Sequence, residues 1–110
     1  MRRLFLILSQ LLLVMVLVSS ASLAQTKLDA SILSYDGKDF IRTETTLMNN
    51  GQPAVNTKLD PDSAAYKALV EKKSYTGPAT VFGKDYQANY APLTSADGKL
   101  TGALFVGAPK

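Results

Sequence analysis

Past residue 24 the chain holds a single arginine, Arg42. It falls inside a stretch that reads as a β-strand. A strand arginine is costly to bury without a partner, and its planar fork of donors matches a carboxylate. One reading is recognition of an organic acid or amino acid through its carboxylate. The other is an ion pair with Glu44, Asp39 or a neighbouring strand, or a solvated face. Tyr66, Tyr75, Tyr86 and Tyr90 could line the same pocket, each with an apolar body and a polar tip, or could serve as core bulk. Thr43, Thr45 and Thr57 suit strand formation as well as ligand contact. Lys58 and Lys72 are secondary anion contacts or ordinary surface lysines. With 0 His, 0 Cys and 0 Trp, the commonest general base and the best zinc ligands are missing. Thiol and Ser-His mechanisms are excluded. Asp85 or Glu44 acting alone makes a thin catalytic case. The expectation is a binding module, not an enzyme, with no cofactor and no metal.

The elements that would hold these side chains follow from periodicity and turn chemistry. Ser31–Tyr35 is a short strand, and Asp36-Gly37-Lys38-Asp39 a turn. Phe40–Leu47 is the second strand, rich in β-formers. Alternation puts Phe40, Arg42, Glu44 and Thr46 on one face and Ile41, Thr43, Thr45 and Leu47 on the other. Asn49–Pro53 is loop, and Ala54–Leu59 an extended connector. Asp60-Pro61-Asp62-Ser63 starts a helix, with Asp60 as cap and Pro61 in the first turn. The helix runs to about Lys73 and packs Ala65, Tyr66, Leu69 and Val70 on a sheet. Ser74–Leu93 reads as two strands turning at Gly83-Lys84. Tyr86, Ala88 and Tyr90 share one face of the second of these, and Pro92 ends pairing. A last strand, Leu100–Val106, follows the turn at Ser95–Lys99. It is apolar on both faces, which suits a central place in the sheet. Its Gly102 and Ala103 permit close approach by a neighbour.

The N-terminus has a different character. Met1-Arg2-Arg3 is basic, Leu4–Val18 is apolar apart from Ser9-Gln10, and Ser19–Ala24 is small and weakly polar. This is the plan of a signal peptide cleaved after Ala24, at residues 1–24. Kept in place, residues 4–23 would instead anchor the chain in the cytoplasmic membrane. The remaining domain, 25–110, is small enough that a homodimer or a larger partner would add useful burial. Of the 12 basic and 9 acidic side chains, Arg2 and Arg3 leave with the signal. The mature net charge is then +1, with lysines scattered. No basic face for nucleic acid is expected.

The order strand, strand, helix, strand, strand, strand resembles the PAS-like sheet of extracytoplasmic Cache sensor domains, and is most similar to the Cache 3/Cache 2 fusion type. Asp39–Thr46 resembles that family's second strand, an aromatic-x-Arg-x-x-Thr pattern. Asn56-Thr57-Lys58-Leu59 followed by Ala65-Tyr66 resembles its connector and helix start, where the family often has Gly at the position of Asn56. Lys73–Gly77, Val81–Tyr86, Tyr90–Leu93, Asp97–Lys99 and Gly102–Gly107 match the remaining strands and hairpins. Coverage runs from about Ser31 to Gly107. The resemblance implies an α+β fold: a five-stranded antiparallel sheet with a connecting helix on one face, preceded by the signal helix. It also implies a small-molecule pocket between the sheet and the connector with its helix.

In that family the bound ligand signals across the membrane to a kinase or chemotaxis module. Here only Gln25–Ala30 stands between the signal segment and the first strand, where the family has a long helix. The chain reaches Lys110 with no second span or output module. The expectation is therefore a periplasmic or secreted sensing module working with a membrane receptor. The alternative is a structural or interaction protein that docks on a receptor's sensor domain or self-associates.

Overall fold

The computed structural model describes residues 27–110; the signal-like segment 1–24 lies outside them. Seven strands and one helix follow in order: β1 (Asp29–Tyr35), β2 (Phe40–Thr45), β3 (Met48–Asn49), β4 (Gln52–Pro53), α1 (Ala64–Val70), β5 (Tyr75–Val81), β6 (Lys84–Thr94) and β7 (Leu100–Pro109). Five of the strands form one antiparallel sheet in the order β2-β1-β7-β6-β5. Strand β7 is central, as its two apolar faces require. The helix and the connector from β4 lie on one face of the sheet. The architecture is the PAS-like α+β arrangement.

Turn chemistry sets the first hairpin. Asp36 Oδ1 accepts the N–H groups of Lys38 and Asp39 at 2.9 and 2.7 Å, an Asx turn of the kind aspartate favours. These bonds hold the Asp36 carboxyl below its usual pKa. The expected alternation in β2 holds only as far as Arg42. Arg42 pairs with Leu33 and Glu44 with Ile32, so Thr43 is a bulge that shifts the strand's faces by one residue. Phe40 and Arg42 point inward, but beyond the bulge it is Thr45 and Leu47 that turn in, while Glu44 and Thr46 are exposed. Thr45 Oγ1 and Ser31 Oγ share a hydrogen bond of 2.7 Å, which satisfies the buried serine.

Other boundaries differ from the sequence reading. The stretch read as loop holds a small β3–β4 hairpin, turning at Asn50 and Gly51 with φ of 54° and 77°. Such an Asn-Gly pair is favoured where both central residues need positive φ. The helix cap is Ser63, not Asp60. Ser63 Oγ accepts the Tyr66 N–H at 3.1 Å, while Asp60 Oδ1 accepts from the Asp62 N–H at 2.9 Å just upstream.

At its other end the helix stops at Val70, earlier than expected. Lys72 takes φ +61°. The N–H of Lys72 bonds Leu69 O at 2.8 Å and that of Lys73 bonds Ala68 O at 2.9 Å. This is a Schellman cap with lysine where glycine is usual. Val70 is exposed, and Ala65 and Leu69 carry the buried face. Pro92 does not end β6: it pairs with Ala103 in β7. Pairing with β5 begins at Tyr90 and Tyr75, so the proline sits where β6 has an open edge and no N–H is needed there.

The core gathers between sheet and helix. Leu33, Phe40, Leu69, Tyr90, Ala103 and Phe105 are at most 1% exposed. Gly102 is needed because a Cβ there would run into the Leu33 carbonyl oxygen; no side chain fits.

Candidate ligand-binding site

The inward face of β2, the connector and the β5–β6 hairpin meet around a cavity of about 420 Å³. The connector is fixed to β2 by backbone bonds. Arg42 N–H donates to Thr57 O at 2.8 Å, Asn56 N–H to Arg42 O at 2.8 Å and Leu59 N–H to Phe40 O at 2.9 Å. Asn56 makes this possible by taking φ +67°, a conformation that asparagine tolerates better than most residues. The arrangement carries Lys58, Leu59 and Asp60 to one wall. Ser63, Ala64 and Ala65 continue that wall. Tyr75, Ala79, Val81 and Tyr90 form the sheet side, and Phe82 closes the hairpin end.

Arg42 is 3% exposed. Its Nη1 donates to Thr57 Oγ1 and to the Lys58 carbonyl, both at 3.1 Å. Thr57 Oγ1 in turn donates to Ala54 O at 2.5 Å, which leaves its lone pairs free to accept from the guanidinium. The ion pairs among the described residues are Lys58–Asp39 at 3.2 Å and Lys73–Glu71 at 3.5 Å. Neither involves Arg42, so the two protein carboxylates weighed as partners from sequence, Glu44 and Asp39, do not neutralise it. Burial lowers the Arg42 pKa, and neighbouring Tyr90 acts in the opposite direction. Tyr90 is itself raised by burial, with Arg42 opposing. A guanidinium taken out of water without a counter-charge is an expensive arrangement. Sites that keep such a group commonly do so for recognition.

Of the residues singled out from sequence, Arg42, Tyr75 and Tyr90 line this one cavity. Tyr66 and Tyr86 lie elsewhere. Tyr66 packs edge-on against Phe40, ring centroids 5.7 Å apart, and its hydroxyl donates to Lys38 O at 2.5 Å. Tyr86 packs edge-on against Phe105 at 6.0 Å and donates to Asp29 Oδ2 at 2.9 Å. Its pKa is pushed up to about 12, by burial first and then by Asp29. Tyr66 ties the helix to the β1–β2 turn and Tyr86 ties β6 to β1, and neither is among the residues lining the cavity. Lys58 stands at the cavity wall, whereas Lys72 lies with Tyr35, Asp36 and Lys99 on a separate surface.

Phe82 was not anticipated. Its ring lies 5.1 Å from the Arg42 guanidinium carbon, close enough for a cation–π interaction. It gets there because the hairpin turns at Phe82-Gly83, one residue earlier than read from sequence, with Val81 paired to Lys84. Phe82 then has φ +50° and Gly83 φ +77°. A bulky residue in the left-handed region is an outlier. The signal available in the sequence was a phenylalanine directly before a turn glycine, where asparagine or aspartate is favoured.

The cavity lies between the sheet and the connector with its helix, where the resemblance implied a pocket, and Arg42 is one of its lining residues. Residues 23–110 match the family model of the Cache 3/Cache 2 fusion domain. The chain belongs to that family. Cache domains are extracytoplasmic modules that sense small molecules, and are binding modules, not enzymes. In this Cache domain no helix among the described residues is long and apolar enough to cross a membrane. No curated protein and no solved structure shows significant similarity to the chain.

Proposed function

We propose that this Cache domain is a periplasmic or secreted sensing module whose cavity binds a small carboxylate-bearing metabolite, with Arg42 as the anchor. One observation carries the reading: a guanidinium 3% exposed, held by two neutral acceptors and lacking a carboxylate partner among the described residues. A ligand carboxylate would complete the pair in a setting where water competes weakly. Tyr75 and Tyr90 would flank the ligand. Cleavage after Ala24 would release the domain, and a membrane receptor would read its ligand state. A thermal-shift screen of organic acids and amino acids tests the proposal. A ligand at about 100 times its Kd adds roughly 2.7 kcal/mol. A screen in which no compound moves the melting temperature overturns it.

One feature favours a second reading, a secreted protein that docks on a receptor's sensor domain or on a second copy. On the outer sheet face Ile32 pairs directly with Leu104 and Ala30 with Val106. Ile32, Leu104 and Val106 are all more than 40% exposed. Sedimentation discriminates: a tight dimer indifferent to every ligand supports this reading over the first.

A further inference from the structure

Three turns among the described residues carry an acidic or amide residue directly before a glycine: Asp36-Gly37, Asn50-Gly51 and Asp97-Gly98. In such a pair the glycine nitrogen can approach the side-chain carbonyl carbon before it, with no Cβ in the way. The two aspartates are protected from this. The N–H groups of Asp39 and Lys38 hold Asp36 Oδ1, and the Ser95 hydroxyl and the Lys99 N–H hold Asp97 Oδ1. Those bonds keep both carboxyls below their usual pKa, and an ionised carboxylate is a poor electrophile. Asn50 is a neutral amide. It and Gly51 are exposed, and the Gly51 N–H lies beyond the last ladder pair, Asn49 with Gln52. Nothing stands within 4 Å of a Cβ built on Gly51. Strands β3 and β4 pair only with each other, and every residue from Met48 to Pro53 is exposed. A hairpin that short opens locally at little cost, which frees the amide to swing.

We propose that Asn50-Gly51 is a site of spontaneous covalent modification, at which the asparagine converts with age to aspartate or isoaspartate. The Gly51 nitrogen gives its proton to solvent and bonds to Asn50 Cγ. The Cγ–Nδ2 bond breaks, and the amide group takes up a proton and leaves as ammonia. The product is a five-membered succinimide. Water opens that ring at the bond from nitrogen to Cγ, giving aspartate, or at the bond from nitrogen to the Asn50 main-chain carbonyl carbon, giving isoaspartate. Water enters, ammonia leaves and nothing is oxidised. Either product adds a negative charge. Isoaspartate also routes the main chain through Cβ and Cγ, one atom longer, in a turn built on two residues. The extra atom offsets the pairing of Asn49 with Gln52 and Met48 with Pro53. The disturbance passes into the connector. Ala54 N–H donates to Leu47 O at 2.9 Å, and Ala54 O accepts from Thr57 Oγ1, itself an acceptor for Arg42. The aged turn loosens one wall of the cavity, whatever the cavity holds.

Incubation of the purified protein at mildly alkaline pH, followed by peptide mapping, tests the proposal. Asn49, Asn56 and Asn89 are internal controls. The residue after Asn49 carries a side chain. Thr57, after Asn56, is β-branched and its N–H donates to Ala54 O at 3.4 Å. Tyr90, after Asn89, is buried in the sheet between β5 and β7. Asn50 is expected to convert at least about tenfold faster than each control, a barrier lower by about 1.4 kcal/mol. Asn50→Gly, which suits the same turn, should abolish that conversion. Conversion at Asn50 no faster than at the controls, or none, overturns the site. Equally fast isomerisation at Asp36 or Asp97 overturns the distinction drawn between amide and held carboxylate. The structural consequence is read on the isolated isoaspartate form against fresh Asn50→Asp, which supplies the charge without the extra atom. The isoaspartate form should melt lower and exchange its Ala54 N–H faster. Identical melting and exchange in the two overturns the link to the connector.

Discussion

The Phe82 ring sits over the Arg42 guanidinium at 5.1 Å, and the backbone that places it there is strained. Phe82 has φ +50°, a conformation that costs an L-residue roughly 1–2 kcal/mol. A cation–π contact returns about 0.5–2 kcal/mol, more as the pair is desolvated. The two magnitudes are comparable, so the turn is held near balance by the cation beneath it. Strain that persists beside a cavity is commonly tied to recognition.

Replacing Phe82 with asparagine should expose that balance. Asparagine directly before Gly83 would give the pair a two-residue hairpin favours. Phe82→Asn is expected to leave thermal stability unchanged or raise it by about 0.5 kcal/mol, while weakening carboxylate binding. Chemical denaturation and titration check the two halves separately. A loss of more than about 2 kcal/mol would mean the ring is chiefly core packing.

Arg42→Met trades the fork for an apolar side chain of similar length. The unliganded protein is expected to hold its stability or gain about 1 kcal/mol, because a desolvated charge without a counter-ion disappears. Any ligand-induced rise in melting temperature should vanish in the same variant. A large drop in unliganded stability would show that the bonds to Thr57 and Lys58 dominate over the desolvation cost.

Gly102→Ala tests the closest approach in the sheet. The added methyl would collide with the Leu33 carbonyl oxygen, and backbone in a central strand cannot yield cheaply. Destabilisation of about 2–3 kcal/mol is expected by urea unfolding. Thr101→Ala, at the exposed neighbouring position, serves as the control and should cost well under that.

Stability should fall at alkaline pH. Tyr66, Tyr86 and Tyr90 all have phenols raised from 10.0, with burial the leading cause in each, and Tyr86 reaches about 12. A raised folded-state value contributes stability that is complete below the unfolded pKa of about 10. That contribution is lost as pH climbs from there through about 12. Melting temperature measured against pH should be flat in this respect below about pH 9 and decline above about 10. Tyr86→Phe should flatten part of the decline. An unchanged melt through about pH 11 would contradict the assignment.

Much of the fold was legible because its signals are local. Alternation in Tyr86, Ala88 and Tyr90, the Asp36-Gly37 turn and the apolar run of β7 gave the strands and the place of the last one. What was missed depends on contacts distant in sequence. The Thr43 bulge leaves no mark in composition, yet it reverses the faces beyond it. Lys72 ends the helix in a conformation for which glycine is the usual cue. For the cavity, Arg42 stood out as the lone arginine past residue 24, and Tyr75 and Tyr90 as pocket formers. All four tyrosines looked alike by type, and Tyr86 and Tyr90 share one face of β6, so only their position along that strand separates them. Phe82 reaches Arg42 across the sheet, a pairing that no local pattern encodes.

The position of β7 also dictates when the sheet can close. It is the last of the described strands, yet it lies between β1 and β6 and bonds to both, Asp29 opposite Gly107 at one edge and Tyr90 opposite Phe105 at the other. Until β7 arrives, the β1–β2 and β5–β6 hairpins are separate, and isolated hairpins are marginal in water. Zipping both halves at once through one late segment implies slow assembly dominated by distant pairings. The cavity between the sheet and the connector can close only once that strand has slid into the gap.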